Sequence, residues 1–375
     1  MIHSIRQSDS FDFRSPVRLH LAAGAIDNLG DSAGIACSVL IVTGRSSARK
    51  SGLLDRVTAA MGNRRATVFD GVEPNPSIPT CERGAAVATK AGADLVIGLG
   101  GGSAMDAAKV IAAIAPNGGR FGELLGKTHY PHQPIRHIAV PTTCGTGSEV
   151  NAYAIITDPD KADKVNFSSP QTFPELGVLD PTVLDSIPRE LLIHTAFDAF
   201  THALEGYVSR RSQPVADTLA VEAMGMVLHH LPAAAEGDAD AKANLLLAAS
   251  LAGIVIAHTG TTMLHALGYY LTLKHGLGHG HANAIMLPLL MRHIRDACAD
   301  RFAAVVGLLP TGDRSAEGME RYLAEMGIET ALSAHGMGAD EFGACADYAL
   351  ARSSTAATPG AVDRQRLIDL LAEHA

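Results

Sequence analysis

The chain has 375 residues, 47% hydrophobic and 18% charged, with a formal net charge of −9. That balance excludes a disordered chain and suits two domains with sizeable cores. Net negative charge without a Lys/Arg-rich run argues against nucleic acid or an anionic membrane as the main partner, while leaving room for a local anion pocket.

Residues 37–45, CSVLIVTGR, are a short apolar run closed by glycine and predict a buried strand with a turn after it. Residues 47–61 carry apolar positions at helical spacing, 65–70 (RATVFD) read as a second strand, and 78–91 as a second helix. A third strand, 94–99, runs into GLGGGSAMDAAK (98–109), with a helix expected from Ser103 to Ala115. Glycines let a backbone approach a ligand closely, and the helix N-terminus offers unpaired N–H groups and partial positive charge to a phosphate. The stretch lacks the GK[ST] of a Walker loop, and Ser103 stands where GxGxxG would have its last glycine. The plainer reading is a tight turn capped by Ser103.

Residues 136–140 (RHIAV) predict another strand, followed by PTTCGTGSE (141–149). Ligands of parallel α/β sheets bind at the carboxyl ends of strands, and small hydroxyl residues there suit phosphate, ribose or amide. The alternative is a hydroxyl-rich turn that caps the next segment. Residues 152–157 and 176–180 also read as strands. Strands alternating with helices predict βαβ units and a parallel sheet.

After Asp180-Pro181 the strand signals stop, and helical patterns follow at about 189–209, 214–231, 239–258, 260–273 and 281–299. The division expected is an α/β domain, 1–185, and an all-helical domain, 186–375, with a ligand between them touching both. In TAFDAFTHALEGY (195–207), Asp198 and His202 fall at i, i+4 and share a helix face. A buried carboxylate needs a partner, and a cation shared with His202 would supply it; a simple hydrogen-bonded pair is the alternative. One oxygen with three imidazole nitrogens suits Fe²⁺ or Zn²⁺ better than Mg²⁺ or Ca²⁺. The residues alone leave open which of His258, His265, His275, His279 and His281 completes such a set.

The five cysteines are widely spaced with no CxxC, as in reduced thiols of a cytoplasmic protein. The start has no apolar run of signal-peptide length, and no run of about 18 uninterrupted apolar residues occurs, so no membrane span is expected.

Taken together, GGGSAMDAAK (100–109), PTTCGTGSE (141–149), DAFTHALEGY (198–207) and HALGYY…GHGHANAIMLP (265–288) resemble the iron-containing, or group III metal-dependent, alcohol dehydrogenases. FDGVEPNPS (69–77) and LGVLDP (176–181) extend the resemblance over nearly the whole chain. It implies an N-terminal dinucleotide-binding domain with a parallel sheet and an all-α metal-binding, catalytic domain. The reaction implied is hydride transfer between NAD(P) and a small alcohol or aldehyde, anionic aldehydes included, in a homodimer. The metal, Fe²⁺ or Zn²⁺, falls to Asp198, His202, His265 and His279, the last two fourteen positions apart as in the family. Gly101, Gly102 and Ser103 then contact the pyrophosphate with Asp106 behind them; Thr142, Thr143 and Thr146 lie near phosphates and nicotinamide; Lys164 reaches the ribose.

Three positions depart from relatives. Gly44 replaces an Asp that rejects a 2′-phosphate, and Arg45 and Ser46 follow it, which favours NADP over NAD. Tyr269 stands where some relatives carry a further histidine, leaving proton relay to Tyr269, water or His275. Gly278 replaces the usual Pro before the fourth ligand. The rival reading is a dehydroquinate-synthase-like lyase, with metal and NAD but no net redox change.

Overall fold

A computed structural model describes residues 10–161 and 163–375. Two compact units result, Ser15–Ile187 and Pro188–Ala375, the latter joined by residues 10–14. Phe13 stacks on His258, ring centroids 4.3 Å apart, which ties those first described residues to the helical unit and not to the α/β unit.

The α/β unit contains β1 (Arg18–Leu21), α1 (Leu29–Ala33), β2 (Ser38–Gly44), α2 (Ser47–Lys50), α3 (Leu53–Ala60), β3 (Arg65–Val72), α4 (Ile78–Ala91), β4 (Leu95–Gly100), α5 (Gly102–Ile114), α6 (Phe121–Leu124), β5 (Arg136–Pro141), β6 (Ala154–Asp158), β7 (Asp163–Phe167) and β8 (Leu176–Leu179). Six strands form a parallel sheet in the order β1-β8-β5-β4-β2-β3. From β2 the chain steps outward to β3, then returns to β4 on the other side of β2. The carboxyl ends of β2 and β4 therefore flank the switch point at which such sheets bind ligands. Gly100 pairs with Pro141, so the glycine turn and the PTTCGTGSE loop leave the sheet side by side.

Three local features differ from expectation. The helix over 47–61 is two helices, because Gly52 takes a left-handed conformation between them. The strand expected at 152–157 belongs to an antiparallel hairpin, β6-β7, separate from the main sheet. The edge strand β1 gave no sequence signal, since its mostly exposed residues show no apolar run.

The helical unit comprises α7 (Arg189–Val208), α8 (Pro214–Ala235), α9 (Ala239–Thr259), α10 (Met263–Lys274), α11 (His279–Ala297), α12 (Ala299–Val306), α13 (Ala316–Glu325), α14 (Phe342–Leu350) and α15 (Arg364–Ala372). Helix α9 has the length and apolarity of a membrane span, yet it packs on α7 and α8 as a core helix of this unit. Helix α10 starts three residues later than its pattern predicts, because Gly260 takes a positive φ of 64° with an extended ψ and Thr262 is extended. Helix α11 starts two residues earlier, at His279, after an extended Gly278.

Candidate active site

The metal-ligand candidates meet in the helical unit. Helix α7 is buried almost all round, so Asp198 and His202, one turn apart, point inward together. The start of α10 adds His265, and Asp198, His202 and His265 offer donor atoms that all lie within 4.8 Å of one another. His279, the first residue of α11, brings its Nε2 to 3.7 Å from Asp198 Oδ1, against 3.8 Å for His265 Nε2. The rings of His202 and His265 stack at 4.6 Å, and those of His265 and His279 meet edge-on at 5.2 Å. The first three residues are buried; the His279 side chain keeps 25% exposure. A buried carboxylate beside three imidazoles fits a divalent transition ion.

Two further residues complete this cluster and carried no weight in the sequence. Glu205, fully buried one turn beyond His202, accepts hydrogen bonds from the Thr262 amide (2.7 Å) and hydroxyl (2.6 Å) and contacts Nδ1 of His265. Its signal was the spacing Asp198, His202, Glu205, which is i, i+4, i+7 on one face. Asn283, four residues after His279, donates from Nδ2 to Asp198 Oδ1 (2.8 Å) and lies 3.1 and 3.2 Å from Nε2 of His265 and His279. Burial pushes the Asp198 carboxyl up, but the three histidines and Asn283 hold it below its ordinary value. Burial likewise opposes ionisation of Glu205, and His265 and Thr262 outweigh it.

The other histidines lie elsewhere. His258 stacks on Phe13, and His281 stacks on His194 at 4.1 Å. His275 ends α10, with Nε2 3.2 Å from Glu341 Oε2, an oxygen that also accepts from the Tyr270 hydroxyl. Tyr269 lies flat against the His279 ring at 5.0 Å and edge-on to His265 at 6.3 Å.

In the α/β unit the two expected loops touch. A Cβ on Gly102 would stand 2.6 Å from Thr146 Cγ2, so glycine there lets the turn lie against the threonines, while one on Gly101 would be tight at 3.3 Å from Thr143 Oγ1. The Thr142 amide donates to the Gly100 carbonyl at 3.0 Å. Ser103 Oγ accepts from the Asn75 amide (3.2 Å), and Lys164 Nζ donates to Asn75 Oδ1 (2.7 Å). Asn75, at φ +57°, thus joins the start of α5 to β7. Asp106 faces inward: Oδ1 accepts from the Ser148 hydroxyl (2.6 Å) and Oδ2 from the Ile155 amide (2.8 Å). Buried Lys109 donates to Ser148 Oγ, Asn151 Oδ1 and the Tyr153 carbonyl, and burial pushes its ammonium down to about 8 against the pull of Asp106. The Asp106–Lys109 network holds the 148–155 segment against α5. Gly44 ends β2, and Arg45 follows it, exposed.

A parallel sheet with a ligand-binding switch point and a buried His/Asp cluster in one chain suit an enzyme that uses a nucleotide and a metal. The model of the iron-containing alcohol dehydrogenases matches residues 16–181, and that of the C-terminal part of the Fe-containing alcohol dehydrogenase family matches 192–375. A long-chain-alcohol dehydrogenase of Geobacillus thermodenitrificans is 32% identical over 340 residues, 86% of each chain. The lactaldehyde reductase of Escherichia coli is 30% identical over 348 residues, 88% of this chain and 90% of that one. A crystal structure of sulfoacetaldehyde reductase from Bifidobacterium kashiwanohense in complex with NAD⁺ superposes with TM-score 0.91 at 26% identity, covering 98% and 99% of the two chains. The chain belongs to the iron-containing alcohol dehydrogenase family. It is an enzyme that interconverts alcohols and aldehydes, and the lyase reading is not favoured.

Proposed function

We propose that Asp198, His202, His265 and His279 hold the metal, Fe²⁺ or Zn²⁺, of an NADP-preferring reductase of short aldehydes, anionic ones included. The observation that carries this reading is the convergence of Asp198, His202 and His265, from two separate helices, on one buried point. When bound there, a divalent ion acts as a Lewis acid on the substrate oxygen. Asn283 and Glu205 hold the ligands in place. Tyr269, flat on His279, is the candidate proton carrier beside the cluster, and His275, at the end of α10 against Glu341, is the alternative.

The N–H groups at the start of α5, with Gly101, Gly102 and Ser103, receive the pyrophosphate. Thr142, Thr143 and Thr146 face phosphate and nicotinamide, Lys164 and Asn75 the ribose, and Asp106 supports them from behind. NADP is favoured over NAD because no carboxylate stands at Gly44 and exposed Arg45 follows it. We further propose a domain division near 185/186, a homodimer and a cytoplasmic location.

The test is nicotinamide absorbance during turnover, with protein reconstituted anaerobically with Fe²⁺ or Zn²⁺ and offered neutral and anionic short aldehydes. Metal-dependent oxidation of NADPH faster than NADH is expected. Equal rates overturn the cofactor preference, and full activity with metal retained in His265→Ala overturns the ligand set.

A further inference from the structure

We infer that Glu205 is a positioning residue of the metal centre, fixing which nitrogen of His265 carries the proton; this rests on the proposal that His265 is a ligand. Glu205 is wholly buried, and among the described residues no Lys or Arg pairs with it. Such a carboxylate is retained only where every lone pair is used. Oε1 accepts from the Thr262 amide and hydroxyl and lies 3.3 Å from the His265 amide; Oε2 meets His265 Nδ1. An ionised carboxylate only accepts, so Nδ1 must be the donor, and in the neutral ring Nε2 then keeps its lone pair.

The other side of the ring agrees. The Asp198 carboxylate takes one N–H of the Asn283 amide, and that nitrogen, which donates and does not accept, lies 3.1 Å from His265 Nε2 and 3.2 Å from His279 Nε2, leaving one N–H between the two rings. Nε2 is also the nitrogen that faces Asp198 Oδ1. Glu205 therefore selects the tautomer able to bind a cation through Nε2, and the amide atom on the other side of the ring is a donor that is compatible with it.

Glu205 does this while capping the helix that bears the ring. Thr262 is the N-cap of α10, but its own side chain makes no capping bond; the Glu205 carboxylate takes the amides of Thr262 and His265 instead. Backbone and imidazole of His265 are thus fixed by one group carried on α7, the helix that supplies Asp198 and His202.

The test is Glu205→Gln, which keeps an acceptor for the α10 amides but removes the charge and presents an N–H₂ group. Zn²⁺ affinity by chelator competition should fall about 10- to 100-fold. The visible spectrum of the Co²⁺-loaded protein should change, while thermal midpoint without metal and NADPH affinity stay near wild type. Unchanged Zn²⁺ affinity and cobalt spectrum, with binding lost in His265→Ala, would reduce Glu205 to a helix cap. Zn²⁺ retained at full affinity in His265→Ala would instead remove the ligand assignment beneath the inference. Should the Gln variant not fold, ¹⁵N-histidine spectra of the zinc-loaded wild type decide: a proton on His265 Nδ1 supports the inference, and one on Nε2 overturns it.

Discussion

Gly268 of α10 lies so close to Asn283 of α11 that a Cβ on it would stand 2.1 Å from Asn283 Oδ1. The two helices meet where Asn283 reaches Asp198, His265 and His279, so the missing side chain at 268 makes room for the amide that spans the ligand cluster. Gly268→Ala must displace Asn283 or part the helices. It should cost about 1–3 kcal/mol of stability by overpacking and weaken Zn²⁺ binding about tenfold or more, with NADPH affinity unchanged. Chemical denaturation and chelator competition measure both; wild-type metal affinity would show that Asn283 is dispensable to the site.

Cofactor choice should turn on Gly44. Its φ is not positive, and a Cβ there would meet only the Val72 carbonyl at 3.7 Å and Ser47 Oγ at 4.0 Å, so Asp fits without strain. Gly44→Asp should move the kcat/KM ratio of NADPH to NADH toward NADH by about tenfold or more, roughly 1.4 kcal/mol. Arg45→Ala should raise KM for NADPH and leave NADH unaffected. An unchanged ratio in both variants would place the 2′-phosphate elsewhere.

The Asp106–Lys109 pair should behave as one unit. Lys109→Met leaves the largely buried Asp106 carboxylate without its cation and should cost about 3 kcal/mol, with looser NADPH binding because Ser148, Asn151 and Tyr153 lose their common donor. The double variant Asp106→Asn/Lys109→Met should lose less than the sum of the single losses. Additive losses in urea denaturation would contradict the coupling.

Acid should weaken the C-terminal end of the helical unit. His374 is buried, with Nε2 3.0 Å from the Ile285 carbonyl and Nδ1 3.3 Å from Arg292, and burial, with Arg292, pushes its pKa down to about 4. The folded ring is neutral between about 4 and 6.5, while the unfolded ring takes up a proton. Stability is therefore full above about 6.5 and falls as pH drops toward 4, by at most about 3 kcal/mol. His374→Gln should flatten that part of the pH–stability profile. A parallel profile for variant and wild type would assign the acid sensitivity to other groups.

Much of the architecture was legible because it rests on local pattern. Apolar runs closed by glycine marked β2 and β4, and the alternation of strand and helix carried the parallel sheet. Strand β1 escaped because an exposed edge strand needs no apolar run, and β7 because a short polar hairpin arm has none.

The sequence by itself determined that Asp198 and His202 share a face, since 3.6 residues per turn leaves no other arrangement on a helix, and Glu205 falls on that face by the same rule. It also determined that the glycine turn and the hydroxyl-rich loop each follow a strand. Residue pattern within the chain left the later histidines open, the family resemblance named His265 and His279, and the tertiary structure brings those two to Asp198. His265 and His279 meet it while His258, His275 and His281 face Phe13, Glu341 and His194. The spacing of histidines along the chain is local, but which of them meet is set by how α10 and α11 pack on α7. That packing depends on contacts between residues distant in sequence, such as Gly268 with Asn283 and Glu205 with Thr262, which no periodicity within one helix encodes.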